Sequence, residues 1–234
     1  MNKLINAEAI FFDLDDTIYD QQIPFQSAID YGNIDINNTD YQLLYKRVRF
    51  HSDKLWKDYT AGTIDLDTVR IRRLIDAFQE FGATLTVAKA IEIQERYEYE
   101  QKTIKPFSKV ISIINELQQQ NKIVGLITNG PVEHQTSKIK ALQLDRIIPS
   151  ELIFISDGIG ITKPDPRIFH YVQDQVKKNP ENCYYIGDTW ENDIEAALNA
   201  GWNAIWYNFR NRQPQSSHKP NKIITSYNEW SSLI

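Results

Sequence analysis

The chain has 234 residues, 41% of them hydrophobic, which is enough for one large domain or a core domain with a smaller partner. Its net charge of −5 and pI near 5.4 argue against a general binder of nucleic-acid polymers, and no run approaches the ~18 apolar residues of a membrane span. The one cysteine, Cys183, excludes an intrachain disulfide and fits a reducing cytoplasm, and residues 1–8 lack the apolar run of a signal peptide.

Ala9-Ile10-Phe11-Phe12-Asp13-Leu14-Asp15-Asp16-Thr17 reads as a short apolar strand that runs into carboxylates. The alternation of β-structure projects Asp13 and Asp15 to one side and Leu14 to the other. Two acids at the end of a buried strand are costly unless a cation or hydrogen bonds offset them. Residues 18–105 then show helical patterns and no buried strand. A helix is predicted over 41–59, with Leu43, Leu44, Val48, Leu55, Trp56 and Tyr59 at mostly helical spacing. A second follows a cap at Asp65 or Asp67 and stops at Gly82. A third follows a cap at Thr84 or Thr86. The segment reads as an inserted amphipathic bundle.

Pro106 marks the return. Phe107, Val110, Ile111, Ile114 and Leu117 form a helical stripe, and 123–127 is a continuous apolar run, as in a strand covered on both faces. It ends in Thr128-Asn129-Gly130-Pro131, and a helix to about Leu142 follows with Pro131 in its first turn. Further strands are predicted at 152–155, 184–186 and 204–207. Between them lie a loop with Lys163-Pro164-Asp165-Pro166, a helix through Ile168, Phe169, Val172 and Val176, and a helix over 191–200 ended by Gly201. The polar stretch 210–221 is expected to be an exposed loop. Alternating strands and helices make the fold α/β with a mostly parallel sheet, whose ligand lies beyond the carboxyl ends of the strands.

Asp13, Asp15, Thr128, Asn129, Lys163 and Asp188 all lie at such strand ends or on the loops after them, with Asp193 close behind. Each has an ordinary reading alone: Thr128 as a helix cap, Lys163 as a solvated loop lysine, Asp188 as a turn residue, Asp193 as a first-turn acid. Their shared placement makes that combination improbable.

In chain order, Asp13-Leu14-Asp15-Asp16-Thr17, Thr128-Asn129-Gly130, Lys163-Pro164-Asp165-Pro166 and Gly187-Asp188-Thr189-Trp190-Glu191-Asn192-Asp193 resemble the four motifs of the haloacid dehalogenase (HAD) superfamily. The helical insert between the first two is similar to the C1 cap of its subfamily IA. The resemblance implies a Rossmann-like core from residues 1–17 and 106–234, with a helical cap from 18–105 that closes over the active site.

By the same resemblance, Asp13 is the nucleophile that forms an aspartyl-phosphate, and Asp15 is the general acid and base, its backbone carbonyl also binding the metal. Asp13 and Asp188 are the carboxylate ligands of Mg²⁺. Lys163 supplies a positive charge, the Thr128 hydroxyl and Asn129 amide bind phosphate oxygens, and Asp193 supports Lys163 or the metal shell. An ionised carboxylate needs no base to activate it, which suits it to attack phosphorus. The implied activity is Mg²⁺-dependent hydrolysis of a small phosphorylated metabolite by a cytoplasmic monomer or homodimer. The branch containing pyrimidine 5′-nucleotidases is the most similar, which points to a nucleoside monophosphate, with Tyr19, Trp56 and Tyr59 as core aromatics or a base platform. A sugar phosphate, a phosphomutase reaction and a non-catalytic phosphate-binding module are the alternatives. A phosphonatase would need a buried cap lysine, and Lys46, Lys54 and Lys57 are the residues available.

Overall fold

Strand β1, Ala9–Phe12, is four apolar residues with no exposed surface at all. A strand so buried needs neighbours on both edges and cover on both faces, which a parallel sheet flanked by helices provides. The computed structural model describes residues 4, 6–34 and 40–232 and places β1 inside a six-stranded sheet. The other strands are β2 (Ile123–Thr128), β3 (Ile153–Ile155), β4 (Cys183–Gly187), β5 (Asn203–Tyr207) and β6 (Lys222–Ile224). Their order is β3-β2-β1-β4-β5-β6, and every neighbouring pair is parallel. The chain runs outward from β1 in one direction and then returns to add β4 on its other edge. The strand order thus reverses between β1 and β4, and the crevice at their carboxyl ends is where such sheets bind ligands.

The described chain divides into two compact units, residues 1–20 with 105–234, and residues 21–104. The first contains the sheet with helices α5 (Val110–Gln119), α6 (Val132–Ala141), α7 (Ser156–Ile159), α8 (Arg167–Val176) and α9 (Ala196–Asn199). The second is all helical: α1 (Gln22–Tyr31), α2 (Tyr41–Thr60), α3 (Leu66–Glu80) and α4 (Val87–Glu100). Its helices α3 and α4 start where their capping chemistry directs. Asp65 accepts from the Thr68 amide at 2.7 Å, and Thr86 from the Lys89 amide at 3.2 Å. Its core gathers Phe25, Leu44, Val48, Leu74, Phe78 and Ile93. Trp56 and Tyr59 pack on each other with ring centroids 4.8 Å apart, and Lys46, Lys54 and Lys57 are all exposed. Among the described residues, no helix is long and apolar enough to cross a membrane.

The α/β expectation holds, with differences in detail. A sixth strand, β6, lies just beyond the polar stretch and is too short, at three residues, to show a periodic pattern. The helix expected over 191–200 is a π-helical turn, Trp190–Glu195, followed by the single α-turn of α9. Pro131 caps α6 in extended conformation instead of sitting inside its first turn, and Phe107 precedes α5. Residues 211–217 are exposed as expected, but Arg210 turns inward, its side chain only 9% exposed.

Gly125 in β2 is held to glycine by sterics. A Cβ there would lie 2.3 Å from Phe11 Cε1 and 2.4 Å from the Leu152 carbonyl oxygen. The Phe11 ring stacks edge-on to Phe154, 5.8 Å away, and has no room to retreat in a close-packed interior. Gly125→Ala is expected to destabilise the chain by about 1–3 kcal/mol or more, read as a lower midpoint in urea unfolding.

Candidate active site

The centre of the site is the Lys163 ammonium, which is buried. A lysine loses its hydration there and must recover every hydrogen bond from protein groups. It donates to Asp13 Oδ1 at 2.7 Å, Asp193 Oδ1 at 2.6 Å and the Tyr185 hydroxyl at 2.7 Å. Three N–H donors thus meet three acceptors. Burial alone would lower the lysine's pKa, but Asp13 and Asp193 outweigh it and hold the ammonium charged. Tyr185 in turn donates to the Ile127 carbonyl at 2.6 Å, so the lysine head is anchored to both β4 and β2.

Asp13 follows β1 directly, and its amide still donates to Ile186 of β4 at 2.8 Å. Burial pushes its carboxyl up to about 7, against the pull of Lys163 and with repulsion from Asp193 and Asp15 added. Asp188 follows β4 and is raised well above the usual carboxylate range by burial, although Arg212 opposes this through a 2.7 Å ion pair. The two cations nearby therefore leave these acids undercompensated. Asp193 differs: Lys163 takes its Oδ1 and the Thr189 amide donates to its Oδ2 at 2.8 Å. It is carried on the π-helical turn, a feature frequent at functional sites. Gly187 makes room for it, since a Cβ there would lie 2.5 Å from Asp193 Cβ.

Oxygens of Asp13, Asp188 and Asp193 lie within 4.8 Å of one another. Buried carboxylates that are short of positive charge are the donor set that a hard divalent cation such as Mg²⁺ requires. Asp193 pairs directly with the buried Lys163 ammonium and takes the Thr189 amide, which suits it to orienting the lysine.

Asn129 plays a part that its motif did not disclose. Its side chain donates to the Lys163 carbonyl at 2.8 Å and accepts from the Lys163 amide at 3.0 Å, clamping the lysine loop to the end of β2. The Thr128 hydroxyl accepts from Gln135 Nε2 at 2.5 Å, and the Gly130 amide donates to Ser156 at 3.0 Å.

Asp13 and Asp15 do not act as a simple pleated pair. β1 ends at Phe12, so strand alternation ends before them, and Asp16 takes a left-handed φ of 58°. Asp15 pairs with Lys138 at 2.6 Å through both oxygens and accepts from Tyr19 at 2.6 Å and Gln135 at 3.1 Å. Burial favours its neutral form, but Lys138 and these hydrogen bonds prevail and hold its pKa far below the usual carboxylate value. Asp16 pairs with Arg210 at 2.9 Å, which also reaches Asp20 at 2.5 Å.

Sequence reasoning missed Tyr185, Gln135, Lys138, Arg210 and Arg212. For two of them a signal existed. Gln135, Lys138, Ile139 and Leu142 are spaced i, i+3, i+4, i+7 and form the buried face of α6, so two polar side chains stand in core positions. A tyrosine inside a strand or an arginine in a polar loop carries no comparable mark.

The sequence signature of the haloacid dehalogenase-like hydrolases matches residues 7–201. The chain belongs to this family. As a haloacid dehalogenase-like hydrolase it is an enzyme, and curated phosphatases stand among its relatives. It is 27% identical over 235 residues to the pyrimidine 5′-nucleotidase YjjG of Escherichia coli, covering 96% of each chain. It is 24% identical over 219 residues to the glyceraldehyde 3-phosphate phosphatase of Methanothermobacter thermautotrophicus, covering 90% of each. In structure it is similar to the magnesium-bound HAD-hydrolase YfnB of Bacillus subtilis, with a TM-score of 0.73, 23% identity, and 97% and 98% of the two chains covered.

Tyr185→Phe removes one acceptor from Lys163 and the donor to Ile127. It is expected to destabilise this hydrolase by about 1–3 kcal/mol in chemical denaturation, the cost of buried groups left unpaired.

Proposed function

We propose that the chain is a Mg²⁺-dependent phosphatase that hydrolyses a small phosphate monoester through an aspartyl-phosphate on Asp13. One observation carries the reading: a buried Asp13 carboxylate held through Lys163, with the Asp188 carboxylate close beside it. Like charges at ~4 Å repel by ~4 kcal/mol at an effective dielectric of ~20, so a carboxylate meeting a phosphate without cations would lose about a thousandfold in rate. When bound by Asp13, Asp188 and the backbone carbonyl of Asp15, Mg²⁺ supplies the charge that offsets this repulsion.

The remaining steps belong to the chain. Lys163 fixes the Asp13 carboxylate and faces the transferring group. The Thr128 hydroxyl and the Asn129 amide bind phosphate oxygens near the start of α6, where the helix dipole favours an anion. An Asp13 oxygen forms the new bond to phosphorus as the ester oxygen leaves, and that oxygen takes its proton from Asp15, which enters the step protonated because the incoming phosphate anion favours its neutral form against the pull of Lys138. Water then attacks phosphorus and gives its proton to Asp15, which releases inorganic phosphate and restores Asp13. Asp193 keeps Lys163 in place throughout.

A nucleoside 5′-monophosphate is the first substrate class, supported by the full-length similarity to a pyrimidine 5′-nucleotidase. A triose or sugar phosphate is the second, supported by the similarity to glyceraldehyde 3-phosphate phosphatase. A phosphomutase would pass the phosphoryl group to a second hydroxyl instead of to water, and a non-catalytic phosphate-binding module would show no turnover. A cytoplasmic location completes this reading.

Phosphate release from p-nitrophenyl phosphate and from a panel of nucleotides and sugar phosphates, with and without Mg²⁺, tests the proposal. Asp13→Asn is expected to reduce turnover by at least about a thousandfold while the protein remains folded. Mg²⁺ is expected to raise the melting temperature of the wild type, and Asp188→Asn to abolish that shift. Turnover that survives in Asp13→Asn above a few percent would remove it as the nucleophile.

A further inference from the structure

Lys138 is buried on α6, and none of the four motifs contains it. Its ammonium lies 2.6 Å from both oxygens of Asp15. One turn earlier on the same face, Gln135 Nε2 lies 3.1 Å from Asp15 Oδ2, 2.5 Å from Thr128 Oγ1 and 2.7 Å from the Asn129 carbonyl. Tyr19 donates to Asp15 Oδ1 at 2.6 Å. Three side chains from two segments thus converge on the two oxygens of a single carboxylate.

Stability alone is a poor reason for this arrangement. A buried ion pair is often no more stabilising than an apolar pair of the same volume, because desolvation cancels the attraction. The convergence does restrict geometry, since Tyr19 and Lys138 hold Oδ1 while Gln135 and Lys138 hold Oδ2, which leaves the carboxylate little freedom to rotate. Geometry is what a proton donor to a departing oxygen needs, and a misplacement of about 1 Å can cost about a hundredfold in rate.

We propose that Lys138 is the positioning residue for Asp15, holding its carboxylate where it meets the leaving oxygen of the substrate. Gln135 joins this arrangement to the phosphate clamp, because one amide nitrogen touches both Thr128 and Asp15. Lys138 neither gains nor loses a proton in the reaction; Asp15 alone exchanges one with the leaving oxygen and with water. The inference rests on the reading of Asp15 as general acid and base.

The test compares two esters. The phenolate of p-nitrophenyl phosphate departs without a proton, whereas the alkoxide of a primary alkyl phosphate, such as a nucleoside 5′-monophosphate, needs one. Lys138→Met is expected to lower kcat/KM for the alkyl ester about a hundredfold or more, and for p-nitrophenyl phosphate less than about tenfold, because kcat/KM reports the step in which the ester oxygen leaves and not the later water attack that both esters share. Lys138→Arg should recover part of the loss. The double variant Asp15→Asn with Lys138→Met should be no slower on the alkyl ester than Asp15→Asn alone, because both changes remove one function. Should Lys138→Met fail to fold, as judged by circular dichroism, Lys138→Gln read on the same two esters takes its place. Equal losses of kcat/KM on both esters, or a double variant slower by the product of the single losses, would overturn the proposal. If Asp15→Asn itself shows no dependence on the leaving group, the acid–base reading falls and takes this proposal with it. If Asp15→Asn shows the dependence and the Lys138 variants do not, only this proposal falls.

Discussion

The site depends on the difficulty of burying like charges together. Asp13, Asp188 and Asp193 are all buried at the carboxyl edge of the sheet, with oxygens within 4.8 Å of one another. Lys163 and Arg212 are the cations paired with them. Lys163 satisfies Asp193 and half of Asp13, while Arg212, partly exposed on its loop, takes Asp188. Three carboxylates against two cations leave a surplus of negative charge, and burial drives Asp13 and Asp188 upward in pKa as a result. A divalent cation held by Asp13 and Asp188, as proposed, would relieve such a surplus.

The first motif shows how the fold separates charges that the chain puts side by side. Three of its five residues, Asp13, Asp15 and Asp16, are acids, and each answers to a different cation: Lys163, Lys138 and Arg210. The backbone is left-handed at Asp16, and Leu14 is buried between the acids. Aspartate tolerates that conformation better than most residues, so the acid there is also suited to the turn. The partners come from α6, the lysine loop and the loop after β5, which ties distant parts of the chain to one four-residue turn.

The supporting contacts explain why the loops stay in register. Asn129 grips the Lys163 backbone from the end of β2, and Tyr185 reaches from β4 to the Lys163 ammonium. Asn208 holds the Arg212 backbone through bonds of 2.9 and 2.7 Å, which sets the guanidinium against Asp188. Catalytic groups on loops need such braces, because the loop backbone alone does not hold a side chain to the tolerance that chemistry demands.

The alternation of apolar runs with helical stripes was sufficient by itself for the parallel α/β core, because the two periods are local properties of the chain. The placement of Asp13 and Asp188 at the carboxyl ends of strands also followed from sequence, since the ends of apolar runs are visible there, whereas Lys163 lies on a loop beyond β3 and α7. The tertiary structure alone decided which charges pair. Lys138 stands 123 residues from Asp15, and Arg210 stands 194 residues from Asp16. Pairing over such separations depends on which helix face turns inward and how far a loop folds back. Strand β6 and the π-helical turn at Asp193 were hidden for the same reason: one is defined by its neighbour in the sheet, the other by the lysine it must reach.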